Sequence, residues 1–209
     1  MTVILRAAVL LLALASFGAQ AQSTEFREGE HYRALSNPVP TGSGDKIEVA
    51  EVFWYGCPHC YSFKPLIEKW EQDLPEDVQF ELLPAALGQS WEPHARAFYT
   101  VKALDKFEQT HDALFDALAR DRKPLNDAES LADFLSEYGV DPEKFVKTFN
   151  SFGVNAKMQQ AQAKIRGARI TGVPAMLVNG KYVVSASLAG SHEQMLEVVD
   201  YLIEKERAQ

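Results

Sequence analysis

Two cysteines separated by two residues, Cys57-Pro58-His59-Cys60, directly follow an aromatic and apolar run in the sequence. Within that run, residues 46–55, apolar side chains fall on both faces of an extended strand, which is typical of a central strand covered on both sides. A proline directly after the first cysteine fits the first position of a helix, where its missing N–H would have no partner. The pattern therefore predicts a strand that leads into a helix, with Cys57 as the N-cap and the helix extending to about Gln72.

The N-cap position gives Cys57 a reactive environment. Its sulfur can accept hydrogen bonds from the amides of His59 and Cys60, and it lies at the positive end of the helix dipole. Both effects stabilise a thiolate, and a charged or donating His59 imidazole adds to them. Cys60 lies one turn later on the same helix face, close enough to form a disulfide. We therefore expect dithiol–disulfide exchange, with Cys57 reactive and Cys60 shielded.

Two other interpretations of the cysteine pair are weaker. A purely structural disulfide that closes a four-residue loop would contribute only about 1.9 kcal/mol by the loop-entropy relation, against about 4.7 kcal/mol for a 100-residue loop. A closed zinc site needs four ligands, and the chain has only these two cysteines and five scattered histidines. We therefore predict no metal site.

The first residues have the layout of a secretory signal peptide. Residues 1–6 carry one positive charge, residues 7–17 are apolar, and Ala19-Gln20-Ala21 fits a small-x-small cleavage site. We expect residues 1–21 to be removed and 22–209 to form the exported protein, in a compartment where disulfides persist. The chain has 21 Lys and Arg against 29 Asp and Glu, a net charge of −8, which argues against binding to nucleic acid.

The rest of the sequence predicts an α/β domain interrupted by helices. A second strand is expected at 78–84, and the chain turns helical from about 91 to 169. Two β-rich runs, 173–178 and 181–184, flank an Asn-Gly pair, which is a strong hairpin signal. Ser191, with Gln194 three residues later, opens a last helix.

Two more residues stand out near the cysteines. Glu51 shares a strand face with apolar residues, where a carboxylate is costly unless it is paired or protonated. It is either a buried proton donor and acceptor for Cys60 or a rim carboxylate paired with a surface cation. Pro174 opens a β-rich run, and it is either an ordinary strand-start residue or a cis proline that places backbone beside the cysteines.

Taken together, these features resemble the DsbA family. The resemblance rests on Cys57-Pro58-His59-Cys60 after an aromatic strand, on Glu51 ahead of it, on the helical insertion, and on the segment from Gly172 to Tyr182. It implies a thioredoxin fold with a large all-helical insertion between a βαβ half and a ββα half. It also implies that Cys57 is the nucleophile and Cys60 the resolving cysteine, and that Pro174 is a cis-proline with Val173 beside the disulfide.

The resemblance further implies a periplasmic thiol:disulfide oxidoreductase that uses its own Cys57–Cys60 disulfide and no other cofactor. Its substrates would be newly exported, unfolded polypeptides with free thiols, bound along an apolar groove. A quinone-linked inner-membrane oxidase would reoxidise it, and we expect a monomer. One departure is visible: well-known members carry a lysine on the strand after the cysteine helix, and residues 78–84 contain none.

Two alternative functions remain open on the sequence. The first is a disulfide isomerase or reductase kept reduced, although such isomerases usually add a dimerisation domain for which 188 residues leave no room. The second is a redox-inert chaperone or metal-binding module that uses the groove or the thiols only for binding.

Overall fold

A computed structural model of the chain describes residues 26–209, so the predicted signal peptide lies outside the described residues. The strand that precedes the cysteines is central to the sheet, because all of its residues from 48 to 53 are buried. The strands are β1 (Arg33–Ala34), β2 (Ile47–Phe53), β3 (Val78–Pro84), β4 (Ala175–Val178) and β5 (Tyr182–Ser185).

The sheet has the order β1-β5-β4-β2-β3. β2 pairs in parallel with β3, and the other pairings, β2 with β4, β4 with β5 and β5 with β1, are antiparallel. β2 ends at Phe53, two residues before the predicted end, because the chain then turns and the Cys57 amide donates to the Trp54 carbonyl at 3.0 Å. That turn directs the cysteines out of the sheet and into the helix.

Helices cover both faces of the sheet and fill the segment between β3 and β4. They are α1 (Pro58–Gln72), α2 (Glu92–Ala103), α3 (Phe107–Phe115), α4 (Ala128–Ser136), α5 (Pro142–Phe149), α6 (Phe152–Gly167), α7 (Ala186–Ala189) and α8 (His192–Arg207). The predicted fold class, a thioredoxin-like α/β fold with a helical insertion, is confirmed. In residues 26–209 no helix is long and apolar enough to cross a membrane.

The Asn-Gly pair forms the predicted hairpin turn between β4 and β5. Asn179 and Gly180 both have positive φ, 46° and 62°, as a type I′ turn requires. β4 begins at Ala175 and not at residue 173, since the preceding proline has no N–H for the ladder. β5 likewise begins one residue later than predicted, at Tyr182.

The aromatic end of β2 anchors the helical insertion. The Phe53 ring is fully buried and packs against Tyr55, Phe98 and Phe115, with ring centroids 5.1, 5.7 and 5.5 Å away. The same apolar cluster includes both cysteines. The cysteine pair therefore lies where the core of the insertion meets the end of the central strand.

Candidate active site

Cys57 is the N-cap of α1, as the sequence predicts. Its backbone is extended, with φ −88° and ψ 116°, and Pro58 occupies the first helical position. The Cys60 amide donates to the Cys57 sulfur at 3.4 Å. Both residues are thiols in this structure, with Cys57 exposed by 7% and Cys60 by 0%. The outer cysteine is therefore the one that a substrate can reach.

The surroundings of the two thiols move their pKa values in opposite directions. A hydrogen bond from the Cys60 thiol does most to lower the pKa of Cys57 from 9.0 to about 6, and burial opposes it. The amides of Cys60 and His59 and the His59 charge lower the Cys57 pKa further. Burial, followed by interaction with Cys57, raises the pKa of Cys60 far above its ordinary value. At neutral pH the pair therefore holds one thiolate, on Cys57.

The loop before β4 completes the surroundings of Cys57. The Val173–Pro174 peptide bond is cis. The Val173 carbonyl oxygen lies 3.7 Å from the Cys57 sulfur, which donates to it as a thiol. The fold thus brings the backbone of the cis-proline loop next to the Cys57 sulfur.

Glu51 lies on β2 and is only 3% exposed. It stands opposite Leu82 of β3 and Met176 of β4. Within residues 26–209 no cation lies at salt-bridge distance from its carboxylate, which borders a cavity of about 410 Å³. Burial, followed by the nearby Glu68 and Cys57, raises the pKa of Glu51 to about 8. Such a carboxyl can both hold and release a proton near neutral pH.

The cavity beside Glu51 receives its cations from α1 and α2, Lys64 and Lys102, and not from β3. Lys64 borders this cavity and pairs with Asp112 at 2.6 Å and with Glu68. Its charge lowers the pKa of Glu51, against the effect of burial. The sequence analysis did not identify this lysine, although it follows Cys60 by four residues and therefore shares its helix face.

Trp54, three residues before Cys57, is held by the helical insertion. Its indole stacks on Trp91 with centroids 4.3 Å apart, and its N–H donates to His94 Nδ1 at 2.9 Å. His94 is therefore the tautomer that donates from Nε2 to the Leu125 carbonyl, at 2.9 Å. Burial lowers the pKa of His94, which keeps this ring neutral.

His59 is exposed at the second position of α1, and its imidazole faces α8. The His192 ring centroid lies 6.5 Å away. The sequence analysis found no link between these two histidines, because they are far apart in the chain and only the docking of α8 brings them together. Among residues 26–209 no group of His, Cys, Asp and Glu side chains is arranged to hold a metal ion.

Residues 75–197 match the family model of the DSBA-like thioredoxin domain. The chain is 46% identical to the thiol:disulfide interchange protein DsbA of Pseudomonas aeruginosa PAO1 over 199 residues, 95% of this chain and 94% of that protein. It is 35% identical to the DsbA of Burkholderia cepacia over 198 residues, 94% and 93% of the two chains.

Solved structures give the same result. The crystal structure of Pseudomonas aeruginosa DsbA superposes with a TM-score of 0.84 at 46% identity, covering 88% of this chain and 95% of that one. The oxidoreductase DsbA of Xylella fastidiosa superposes with a TM-score of 0.81 at 36% identity, covering 88% and 98%.

Proposed function

Because the chain belongs to the DsbA family and is a protein-disulfide oxidoreductase that acts through its own cysteines, we propose that Cys57 exchanges with substrate and that Cys60 resolves. A substrate thiolate attacks the Cys57 sulfur of the Cys57–Cys60 disulfide, and Cys60 leaves with the electron pair and takes a proton. A second substrate thiolate then attacks the substrate sulfur of the mixed disulfide and releases Cys57 as a thiolate. The substrate loses two electrons, and the protein gains them.

The low pKa of Cys57 is the observation that carries the direction of exchange. The stabilised thiolate makes Cys57 a good leaving group and favours the reduced form of the protein over its disulfide. At pH 7, a pKa of about 6 against an ordinary value of 9.0 favours the thiol pair by about 1.4 kcal/mol, or about 30 mV for two electrons. The protein is therefore suited to donate its disulfide.

We assign the proton that Cys60 takes and releases to Glu51. The raised pKa of Cys60 means that this sulfur does not remain a thiolate at neutral pH. Glu51 is buried, it borders a cavity that can hold water, and its pKa of about 8 lies near the working pH. His59 and Pro58 act on Cys57 instead, the first through its amide and charge and the second by starting the helix.

The substrates that fit this site are unfolded exported polypeptides with free thiols. An extended segment can pair with the backbone at Val173 and Pro174 and place its cysteine sulfur against Cys57. The predicted signal peptide at 1–21 supports export of the protein to the periplasm. A quinone-linked oxidase of the inner membrane then reoxidises the Cys57–Cys60 pair, and the protein acts as a monomer.

Equilibration of residues 22–209 with glutathione buffers tests the direction. Trp54 fluorescence reports the dithiol fraction, because this indole lies three residues from Cys57 and is held in place by Trp91 and His94. A potential more oxidising than about −180 mV identifies a disulfide donor, and a value near −270 mV identifies a reductase instead. Stoichiometric metal binding without exchange would identify a redox-inert binding module.

A further inference from the structure

A groove of about 520 Å³ lies beside the active-site cysteines, between the cis-proline loop and the start of α8. Its charged and titratable lining consists of Arg33, Arg169, His59 and His192, and it includes no Asp or Glu from residues 26–209. The whole chain carries a net charge of −8. The charged side chains of this groove are therefore positive, whereas the net charge of the whole protein is negative.

Arg33 is held rigidly in the wall of the groove. It lies on β1 opposite Val183, and its Nη2 donates to the carbonyls of Ala168 and Arg169 at 2.9 and 3.2 Å. These acceptors are neutral, so they orient the guanidinium without cancelling its charge. In the described part of the chain no carboxylate lies within salt-bridge distance of it.

Arg169 has a fixed backbone and a free side chain. Its amide donates to Arg166 at 3.0 Å, and the Ile170 amide donates to Ile165 at 3.1 Å, which closes the end of α6. Arg169 itself has φ +51° and an exposed side chain. From residue 26 to 209 no carboxylate pairs with its guanidinium. The side chain is available to a ligand in the groove.

Two lysines at other cavities are neutralised by carboxylates, in contrast to these two arginines. Lys64 pairs with Asp112 at 2.6 Å, and Lys164 pairs with Glu81 at 2.6 Å. Glu193 of α8 follows the groove residue His192, and its carboxylate interacts with its own amide, with Ser191 and with His192. The charge of the two arginines is thus left for a partner.

We infer that this groove selects substrate segments that carry an aspartate or glutamate close to the reactive cysteine. The inference rests on the proposed function, since the groove adjoins the sulfur that forms the mixed disulfide. A guanidinium binds a carboxylate through two parallel hydrogen bonds. Partly exposed ion pairs each contribute a few-fold in affinity, so two arginines give an acidic segment an advantage of about three- to tenfold.

Two reduced peptides test the selection. They share one sequence with two cysteines and differ only in whether glutamates or glutamines flank the first cysteine. With the oxidised protein at low salt, we expect kcat/KM about three- to tenfold higher for the glutamate peptide, and we expect this ratio to shrink as salt screens the charges. Equal values for the two peptides at low salt would overturn the inference.

Variants locate the effect. Arg169→Gln should lower the ratio of kcat/KM between the glutamate and glutamine peptides about two- to threefold. Arg33→Lys tests whether the two carbonyls that orient the Arg33 guanidinium contribute to the selection. Arg166→Gln is the matched control, because Arg166 is also exposed near the end of α6 but does not line the groove. A ratio that is equally high in Arg169→Gln and in the unchanged protein would contradict the assignment.

A binding measurement separates this inference from the proposed function. Peptides with serine in place of both cysteines cannot exchange, so their affinity for the oxidised protein reports the groove alone. If the serine peptide with glutamates binds more tightly but the cysteine peptides undergo no disulfide exchange, the selection holds and the proposed function is rejected. If the cysteine peptides exchange but the two serine peptides bind equally, the proposed function holds and the selection is rejected.

Discussion

The sulfur of Cys57 lies 3.7 Å from the carbonyl oxygen of Val173, although 116 positions separate the two residues in the chain. As a thiol, Cys57 donates to this carbonyl; as a thiolate it loses that role and keeps the hydrogen bond from the Cys60 amide, at 3.4 Å. Deprotonation, like formation of the Cys57–Cys60 disulfide, therefore frees the Val173 carbonyl. A peptide amide that approaches the oxidised protein can then donate to that carbonyl.

The pKa of Cys57 predicts a break in the pH dependence of the redox potential. Below about pH 6, reduction takes up two protons with two electrons, and the potential falls by about 59 mV per pH unit. Above it Cys57 stays a thiolate, one proton is taken up, and the slope becomes about 30 mV per unit. Glutathione equilibria from pH 4.5 to 7.5 measure this, and a single slope of 59 mV over that range would contradict the assignment.

The same pKa affects the stability of the reduced protein. Because the folded pKa is lowered from 9.0 to about 6, the stabilisation is fully present above pH 9 and is lost as the pH falls through 6. We expect about 1.4 kcal/mol of it at pH 7. Cys57→Ser should remove this pH dependence from the free energy of unfolding of the reduced protein, measured in urea. Cys60→Ser should retain it, because Cys57 can still form a thiolate.

Substitution of His59 should make the protein less oxidising. His59→Pro removes both an amide that stabilises the Cys57 thiolate and a cationic imidazole. We expect the pKa of Cys57 to rise by about one unit and the equilibrium constant with glutathione at pH 7 to shift about fivefold, or about 20 mV. His59→Gln keeps the backbone amide, so its effect on the pKa of Cys57 measures the contribution of the imidazole alone. An equilibrium constant unchanged in both variants would show that His59 does not tune the pair.

Glu51→Gln should stabilise the protein at neutral pH. A carboxyl whose folded pKa is raised to about 8 stabilises the fold fully below its ordinary pKa of 4.5, and this contribution is lost as the pH rises through 8. Relative to the unchanged protein, we expect a gain of about 2 to 3 kcal/mol in the free energy of unfolding near pH 7 and none near pH 4. The exposed Glu76→Gln is the control, and a gain independent of pH would refute the assignment.

The same substitution should slow the chemistry that depends on Cys60. Without a proton acceptor, Cys60 attacks a mixed disulfide more slowly, so we expect Glu51→Gln to lower the rate of that step about 10- to 100-fold at pH 7. Stopped-flow decay of a mixed disulfide between Cys57 and a small thiol measures it. The difference should narrow above pH 8, and a constant ratio at all pH values would indicate a merely structural effect.

Lys164 holds together two carboxylates between α6 and the sheet. It pairs with Glu81 at 2.6 Å and with Glu48, which is 1% exposed. Lys164→Met leaves a buried carboxylate without its partner, so we expect a loss of about 3 kcal/mol in the free energy of unfolding. Lys157→Met is the matched control, since it lies on the same helix but is exposed. The double variant with Glu48→Gln should recover part of the loss, and equal losses in both lysine variants would contradict this.

The central strand, the N-cap at Cys57, the hairpin at Asn179-Gly180 and the last helix could all be predicted from the sequence. Each depends on local physics: alternation along a strand, a proline at the first helical position, two residues suited to positive φ, and a serine cap. The cysteine motif itself provides much of the reactive environment, because backbone amides only two and three residues after Cys57 stabilise its thiolate. The environment that lowers the pKa of Cys57 was therefore predictable without any long-range contact.

Only the tertiary structure decided what surrounds that motif. Val173 reaches Cys57 because β4 pairs with β2, and Lys64 faces the Glu51 cavity because α3 supplies Asp112 beside it. Arg33 and Arg169 share one groove only because β1 pairs with β5 next to the end of α6. Charge and burial depend on all groups that the fold brings within a few ångströms, whatever their separation in sequence. The sequence therefore determined the environment of the Cys57 thiol, and the fold decided which carboxyl, which cations and which groove lie near it.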